Sequence, residues 1–266
     1  MLIIGERINS SRKRIAPAVE SKDAEFILGE AQKQIEAGAY YVDVNAGTFG
    51  PEREPDLLCW LVKTIQDRFD CVLSLDSPNP AAIEPALKVH KGKALINSIS
   101  LEKKRYQSLM PLVRDFGTDV IAMCADDEGM PSGLEPKLKL AGAVVERLTG
   151  HGIPLENIYI DPLVHPISTD HTYGKVVLQA IEKIMNEFPG VHTVIGLSNV
   201  SYGLPFRFQL NQIYLVLAVG RGLDAVILDP TDKRLMANLI SAQTLLGQDE
   251  YCMNYIQAHN EGKLDL

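Results

Sequence analysis

No stretch of this sequence approaches the roughly 18 consecutive apolar residues of a membrane-spanning helix. The start, Met1-Leu2-Ile3-Ile4-Gly5, lacks the basic flank and long apolar core of a secretory leader. A cytoplasmic protein with no membrane partner is expected. Cysteine is scarce: Cys59, Cys71, Cys124 and Cys252 are far apart and form no C-x-x-C pair. Neither a disulfide framework nor a thiolate zinc site is suggested, which leaves buried free thiols. The six histidines (His90, His151, His165, His171, His192 and His259) contain no H-x-H pair, so a hydrolytic zinc or two-metal centre is not expected. Positive charge is also short. Lys and Arg total 26 against 34 Asp and Glu, a net charge of −8, and the Lys103-Lys104-Arg105 cluster reads as a solvated helix face. A nucleic-acid partner would need a basic surface that this chain does not offer.

What the chain does have is alternation. Short β-rich runs, beginning near Leu2, Tyr40, Val72, Ala94, Asp119, Asn157, Thr193 and Asp224, are separated by longer helical segments. Asp23 to Ala37 is one such segment: Phe26, Ile27, Glu30, Ala31, Gln34 and Ile35 fall at helical spacing, Asp23 is placed to cap it and Gly38 to stop it. Pro80 after Asn79 opens another helix, Gly117 after Phe116 closes one, and Gly150 and Gly152 punctuate the chain before the sixth strand. Eight such repeats close a parallel sheet, so the expected fold is α/β, a (β/α)8 TIM barrel, and 266 residues suit the ~250 of that architecture. No linker or internal repeat divides residues 1–266, so one domain is expected. An open doubly wound sheet would need a glycine-rich phosphate turn, and Gly5-Glu6-Arg7-Ile8-Asn9 lacks the G-x-G-x-x-G spacing.

Carboxylates and carboxamides follow the apolar runs: Asp43 and Asn45, Asp76, Asn97, Asp161 and Asn199. Strand carboxyl ends converge on one mouth in a parallel barrel, so these side chains would surround a shared cavity. No strand end carries the lysine of a Schiff-base enzyme, and neither Ser77 nor Ser198 can be given a histidine base from sequence. What remains is hydrogen bonding of both polarities. Asp76, Asn97 and Asp161 could read a heterocycle edge of amine, ring N–H and carbonyl, as a pterin presents. Singly, each has a blander explanation: Asp76 could cap the helix opened by Pro80, and Asp161 before Pro162 could form an Asx turn. Together they need partners, because buried polar groups without them are costly.

The strand-end motifs resemble a known family. Gly5-Glu6-Arg7-Ile8-Asn9, Asp43-Val44-Asn45, Leu75-Asp76-Ser77, Ile96-Asn97-Ser98, Tyr159-Ile160-Asp161-Pro162 and Gly196-Leu197-Ser198-Asn199-Val200-Ser201 are similar to those of the pterin-binding barrels. Within that family the chain resembles the methyltetrahydrofolate:corrinoid protein methyltransferases and the folate domain of cobalamin-dependent methionine synthase, from Met1 to about Cys252. The resemblance implies a homodimeric barrel that holds N5-methyltetrahydrofolate or tetrahydrofolate at its mouth. It implies methyl exchange with cobalt in cobalamin carried by a separate corrinoid protein. Asp76, Asn97 and Asp161 match the positions that bind the pterin edge, Asn199 the catalytic position near N5. Ser198 and Arg207 line the same mouth, and Asp43, Asn45 and Gly196 count with the pterin-binding set.

That chemistry gives Asn199 a task. A tertiary amine leaves poorly unless N5 is protonated or strongly hydrogen-bonded as its bond to carbon breaks. A neutral amide is no strong acid, so the proton must come from water or a network, and the nucleophile is supplied by the cofactor. The corrinoid signature D-x-H-x-x-G is absent, with Thr169 where its Asp would stand before His171, so the chain is not expected to carry its own cobalamin. The alternatives are a dihydropteroate synthase-like enzyme or a non-catalytic folate-binding module. The loop from Asn45 to Pro51 has no basic residue for a pyrophosphate, and a mere binder would not need Asn199. Leu204, Pro205 and Phe206 form either a rim for the corrinoid protein or packing under the seventh helix.

Overall fold

The eight apolar runs fold as parallel strands, each beginning within one residue of its expected start. They are β1 (Leu2–Asn9), β2 (Tyr41–Asn45), β3 (Val72–Asp76), β4 (Leu95–Ile99), β5 (Asp119–Met123), β6 (Ile158–Asp161), β7 (His192–Gly196) and β8 (Ala225–Leu228). The computed structural model describes residues 1–264, and in it the strands close in sequence order, β8 pairing back onto β1. Ten helices surround the barrel: α1 (Ile15–Glu20), α2 (Ala24–Glu36), α3 (Glu54–Gln66), α4 (Pro80–Val89), α5 (Lys103–Phe116), α6 (Leu134–Gly150), α7 (Tyr173–Glu187), α8 (Arg207–Val219), α9 (Lys233–Leu245) and α10 (Met253–Asn260).

Local chemistry sets the helix ends. Asp23 accepts the Phe26 N–H (3.1 Å) to start α2. Asn79, rather than Asp76, caps α4 by accepting the Ala81 N–H (3.1 Å), which frees Asp76 for the mouth. Gly117 ends α5 in the left-handed region at φ +61°, where a Cβ would be strained.

Ile4, Tyr41, Leu95, Ile121, Tyr159, Val194 and Ala225 pack inside the barrel, so its interior is core and not a pore. The apolar faces of the helices cover its outside, Leu58, Leu61 and Ile65 of α3 being fully buried. Each such side chain contributes about 1.5–3 kcal/mol. At the amino ends of the strands, Tyr41 donates its hydroxyl to Asp119 (2.7 Å), Tyr159 stacks on His192 (4.6 Å between centroids), and His192 pairs with Asp224 (2.6 Å).

Register slips twice, at the opposite end of the strands. Between Gly5 and Ile8 the first strand carries an extra residue relative to β2, and β4 slips against β5 between Asn97 and Ile99. Bulges of this kind turn side chains out of strict alternation. The Cys residues depart from expectation: Cys124 is buried, Cys59 and Cys71 are half-buried, and Cys252 is exposed on the turn before α10. The basic run is split as well, because Arg105 leans inward from α5 while Lys103 and Lys104 stay in solvent.

Candidate functional site: the barrel mouth

The strand carboxyl ends surround a cavity of about 560 Å³. Asp43, Asp76, Asn97, Asp161, Gly196, Ser198 and Asn199 line it, as expected from sequence. Two of the expected residues stand elsewhere. Asn45 lies behind Asp76, donating its amide to the Asp76 main-chain oxygen and to Oδ2 (3.0 Å each). Arg207 lines an adjoining cleft of about 880 Å³, which shares Glu6, Arg12 and Ser198 with the cavity.

On the floor, Asp43 Oδ1 accepts the Ser74 hydroxyl (2.6 Å) and the Asn97 amide (3.2 Å). Burial first, and the neighbouring Asp76 second, hold the Asp43 carboxyl well above the usual carboxylate range. Asp76 is pushed up to about 6, chiefly by burial, against the Asn45 hydrogen bond and the Arg105 charge. Two carboxyls this close cannot both ionise freely, so they titrate as a pair.

Asp161 stands at the end of β6. Its Oδ1 accepts the Leu163 N–H (2.8 Å), so the Asx turn foreseen for it exists, and its side chain also reaches the cavity. Burial raises its carboxyl to about 6, opposed by that N–H and by Lys137. Lys137, fully buried on α6, donates to the carbonyls of Pro162 (2.6 Å) and Leu163 (2.9 Å). It pins the loop in which Leu163 takes φ +61°, and desolvation lowers its ammonium to about 8. Among the described residues no lysine lines this cavity, yet Lys137 holds the β6 loop from a helix.

Beside β6, Leu197–Ser201 forms a 3-10 turn directly after β7. Arg207 fastens it, donating Nη2 to the Ser198 carbonyl (2.6 Å) and Nε to the Ser201 hydroxyl (3.0 Å). Asn199 folds its amide back over Gly196, where a Cβ would lie 3.0 Å from Nδ2. A side chain at Gly196 would make the carboxamide give way by a few tenths of an ångström.

Four residues escaped sequence reasoning. Glu6 and Arg12 meet at the cavity wall (3.0 Å), Arg105 lines the cavity while donating to the Ser98 carbonyl (3.0 Å), and Lys137 supports Asp161. Glu6 sits inside a motif already singled out, but nothing in linear sequence marks the bulge that turns it to the mouth. Among the described residues no group of three His, Cys, Asp or Glu could hold a metal ion. The set can recognise a flat polar ring: acceptors at Asp76 and Asp161, a donor and acceptor at Asn97, and the carboxamide of Asn199 lining the same cavity.

A parallel barrel with such a mouth defines the class of pterin-binding barrels. Residues 5–229 match the family model described as pterin binding enzyme, and the chain belongs to that family. It is 36% identical over 266 residues to the methylcorrinoid:tetrahydrofolate methyltransferase of Eubacterium limosum, covering 99% of this chain and 98% of that protein. It is 29% identical over 240 residues to methionine synthase of Mycobacterium tuberculosis, of which it spans only 20%. A dihydropteroate synthase from Coxiella burnetii in complex with pteroic acid shares the fold at a TM-score of 0.71 and 17% identity, with 91% of this chain and 94% of that chain covered.

Proposed function

We propose that the protein is a methyltransferase that moves a methyl group between N5 of tetrahydrofolate and the cobalt of a separate corrinoid protein. The supporting observation is that Asp76, Asn97, Asp161 and Asn199 line a single cavity. The near full-length likeness to the Eubacterium limosum enzyme supports the same reading. Ionised Asp76 and Asp161 accept from the ring N–H and exocyclic amine, Asn97 completes the edge, and the other end of the pterin then lies toward Asn199. Asn199 strengthens its hydrogen bond to N5 as the bond to the methyl carbon breaks. The folate and the corrinoid are both substrates, and cobalamin stays with the partner. A condensation like that of dihydropteroate synthase is disfavoured because the loop after β2 carries no basic residue before Arg53.

The corrinoid protein docks on the rim beside the mouth. Phe206 is 77% exposed and Phe208 67%, so these rings do not pack under a helix. Replacing Phe206 with glutamate weakens transfer to the protein partner while folate binding persists. A homodimer uses the apolar face left open on α8 and α10, where Ile213, Leu217, Tyr255 and Ile256 are exposed. Such a protein works in the cytoplasm, where its folate and corrinoid partners meet.

The test is to mix the purified chain with N5-methyltetrahydrofolate and free cob(I)alamin and follow methylcobalamin by absorbance. Formation of methylcobalamin supports the reading. Absence of transfer from a chain that binds folate tightly leaves two readings, strict dependence on the partner corrinoid protein or the binding-module alternative.

A further inference from the structure

Methyl transfer leaves one requirement that the pterin-binding residues do not meet. N5 must gain a proton when it loses the methyl group, and Asn199 has none to give. Asp76 and Asp161 are the acceptors for the opposite edge of the ring. A proton source has to lie on the side of Asn199.

Glu6 is the carboxyl beside Ser198, the residue directly before Asn199. The extra residue in β1 between Gly5 and Ile8 turns it into the mouth, where it lines both the cavity and the adjoining cleft. The groups facing it come from five elements, Asp43 of β2 among them, whose carboxyl the Glu6 charge helps to raise. Arg12, from the loop after β1, donates to Oε1 (3.0 Å). Ser198, directly before Asn199, stands beside the carboxyl, and the charges of Arg207 at the start of α8 and of Asp229 after β8 also reach it. Asp229 is itself engaged by Arg7 (2.8 Å) and, farther off, Arg12 (3.7 Å). Burial is the largest influence on Glu6 and raises its affinity for a proton. Asp229 adds to this, while Arg12, Arg207 and Ser198 oppose it.

We propose that Glu6 holds the proton that N5 takes up, passing it through the Ser198 hydroxyl and water in the cavity. In the direction of methyl donation, the proton moves from Glu6 to N5 and the C–N5 bond breaks, leaving its electron pair on nitrogen. The carbon bonds to the electron pair of cobalt(I) on the partner corrinoid. N5 ends as N–H, Glu6 ends as carboxylate, and solvent reprotonates it. In the reverse direction the N5 proton returns to Glu6. This inference rests on the methyl-transfer reading and adds to it a group acting through Ser198.

The experiment compares wild type, Glu6→Gln and Glu6→Asp. Two quantities are read between about pH 5 and pH 8: the single-turnover rate with free cob(I)alamin, and the 15N shift of N5 in bound labelled N5-methyltetrahydrofolate. Glu6→Gln is expected to slow transfer roughly a hundredfold and to remove the pH-dependent movement of the N5 signal, with folate affinity changed less than about tenfold. Glu6→Asp, which keeps a carboxyl, is expected to restore part of both. An unchanged pH profile and N5 titration in Glu6→Gln would overturn the proposal. So would a parallel loss of binding and transfer that Glu6→Asp fails to rescue. Wild type that transfers normally beside an unaffected Glu6→Gln sinks only the role of Glu6, whereas wild type that transfers nothing sinks the methyl-transfer reading with it.

Discussion

Asn45 holds Asp76. Its amide nitrogen lies 3.0 Å from both the main-chain oxygen and Oδ2 of Asp76, while its own oxygen accepts from the Ser10 hydroxyl (2.9 Å) and the Gly47 N–H (3.0 Å). Donors on one side and acceptors on the other fix the orientation of the carboxamide, and with it the carboxylate placed to meet the pterin. Asn45→Ala should therefore weaken folate binding by about 1–2 kcal/mol, measured by titration calorimetry. Unchanged affinity would show that Asp76 keeps its place without the clamp.

Gly196 keeps room for Asn199. A Cβ there would lie 3.0 Å from Asn199 Nδ2, closer than side chains normally approach, so Gly196→Ala should push the carboxamide off the position proposed for it beside N5. We expect transfer to fall roughly tenfold or more while folate affinity changes little, because small misplacements cost the reacting geometry most. Equal losses in both would place Gly196 in binding alone.

Asp76 and Asp161, each raised to about 6, make ligand binding and stability depend on pH in opposite ways. The pterin edge needs ionised acceptors, so folate affinity should rise as pH climbs from about 5 to about 7. Without ligand, carboxyls raised above their unfolded value of 3.8 bind more protons when folded, so stability should fall as pH rises from about 4 through about 6. Calorimetric titrations and melts across this range check both signs, and Asp161→Asn should flatten each curve.

At the other end of the barrel, the hydrogen bond to Asp224 is the largest influence on His192 and raises its pKa from 6.5. A raised histidine contributes stability that is fully present below 6.5 and is lost as pH climbs through the folded value. Both side chains are about a third exposed (35% and 33%), so the contribution is screened and should stay under about 1 kcal/mol. Asp224→Asn should accordingly lower the melting temperature more at pH ~6 than at pH ~8.5. An equal loss at both values would mean the pair contributes only through the Asp224 bond to the Thr193 N–H.

Sequence carried the barrel because the strand starts after β1 are marked by the same change, from a polar or glycine-containing turn to an apolar run, as at Gly38 before β2. It carried Asp43, Asp76, Asn97, Asp161, Ser198 and Asn199 because polar residues directly after such runs have one mouth to face. It did not carry Glu6, whose direction depends on the slipped register between Gly5 and Ile8, or Arg105, whose place in a basic run hid its contact with the Ser98 carbonyl. Lys137 was hidden by position: it stands 25 residues before Pro162, and only the return of α6 along the barrel wall brings it to the carbonyls of Pro162 and Leu163. Asn45 follows the same apolar run as Asp43, so the sequence points it to the mouth as well, whereas its amide is committed to Asp76.

The most direct measurement pairs folate affinity with single-turnover methyl transfer to free cob(I)alamin for wild type and Asn199→Ala. Transfer in the variant should drop about 10²–10³-fold, with the dissociation constant moved by less than about tenfold, as expected for a group whose bond strengthens only in the transition state. Transfer at the wild-type rate in Asn199→Ala would contradict the role given to the residue at N5.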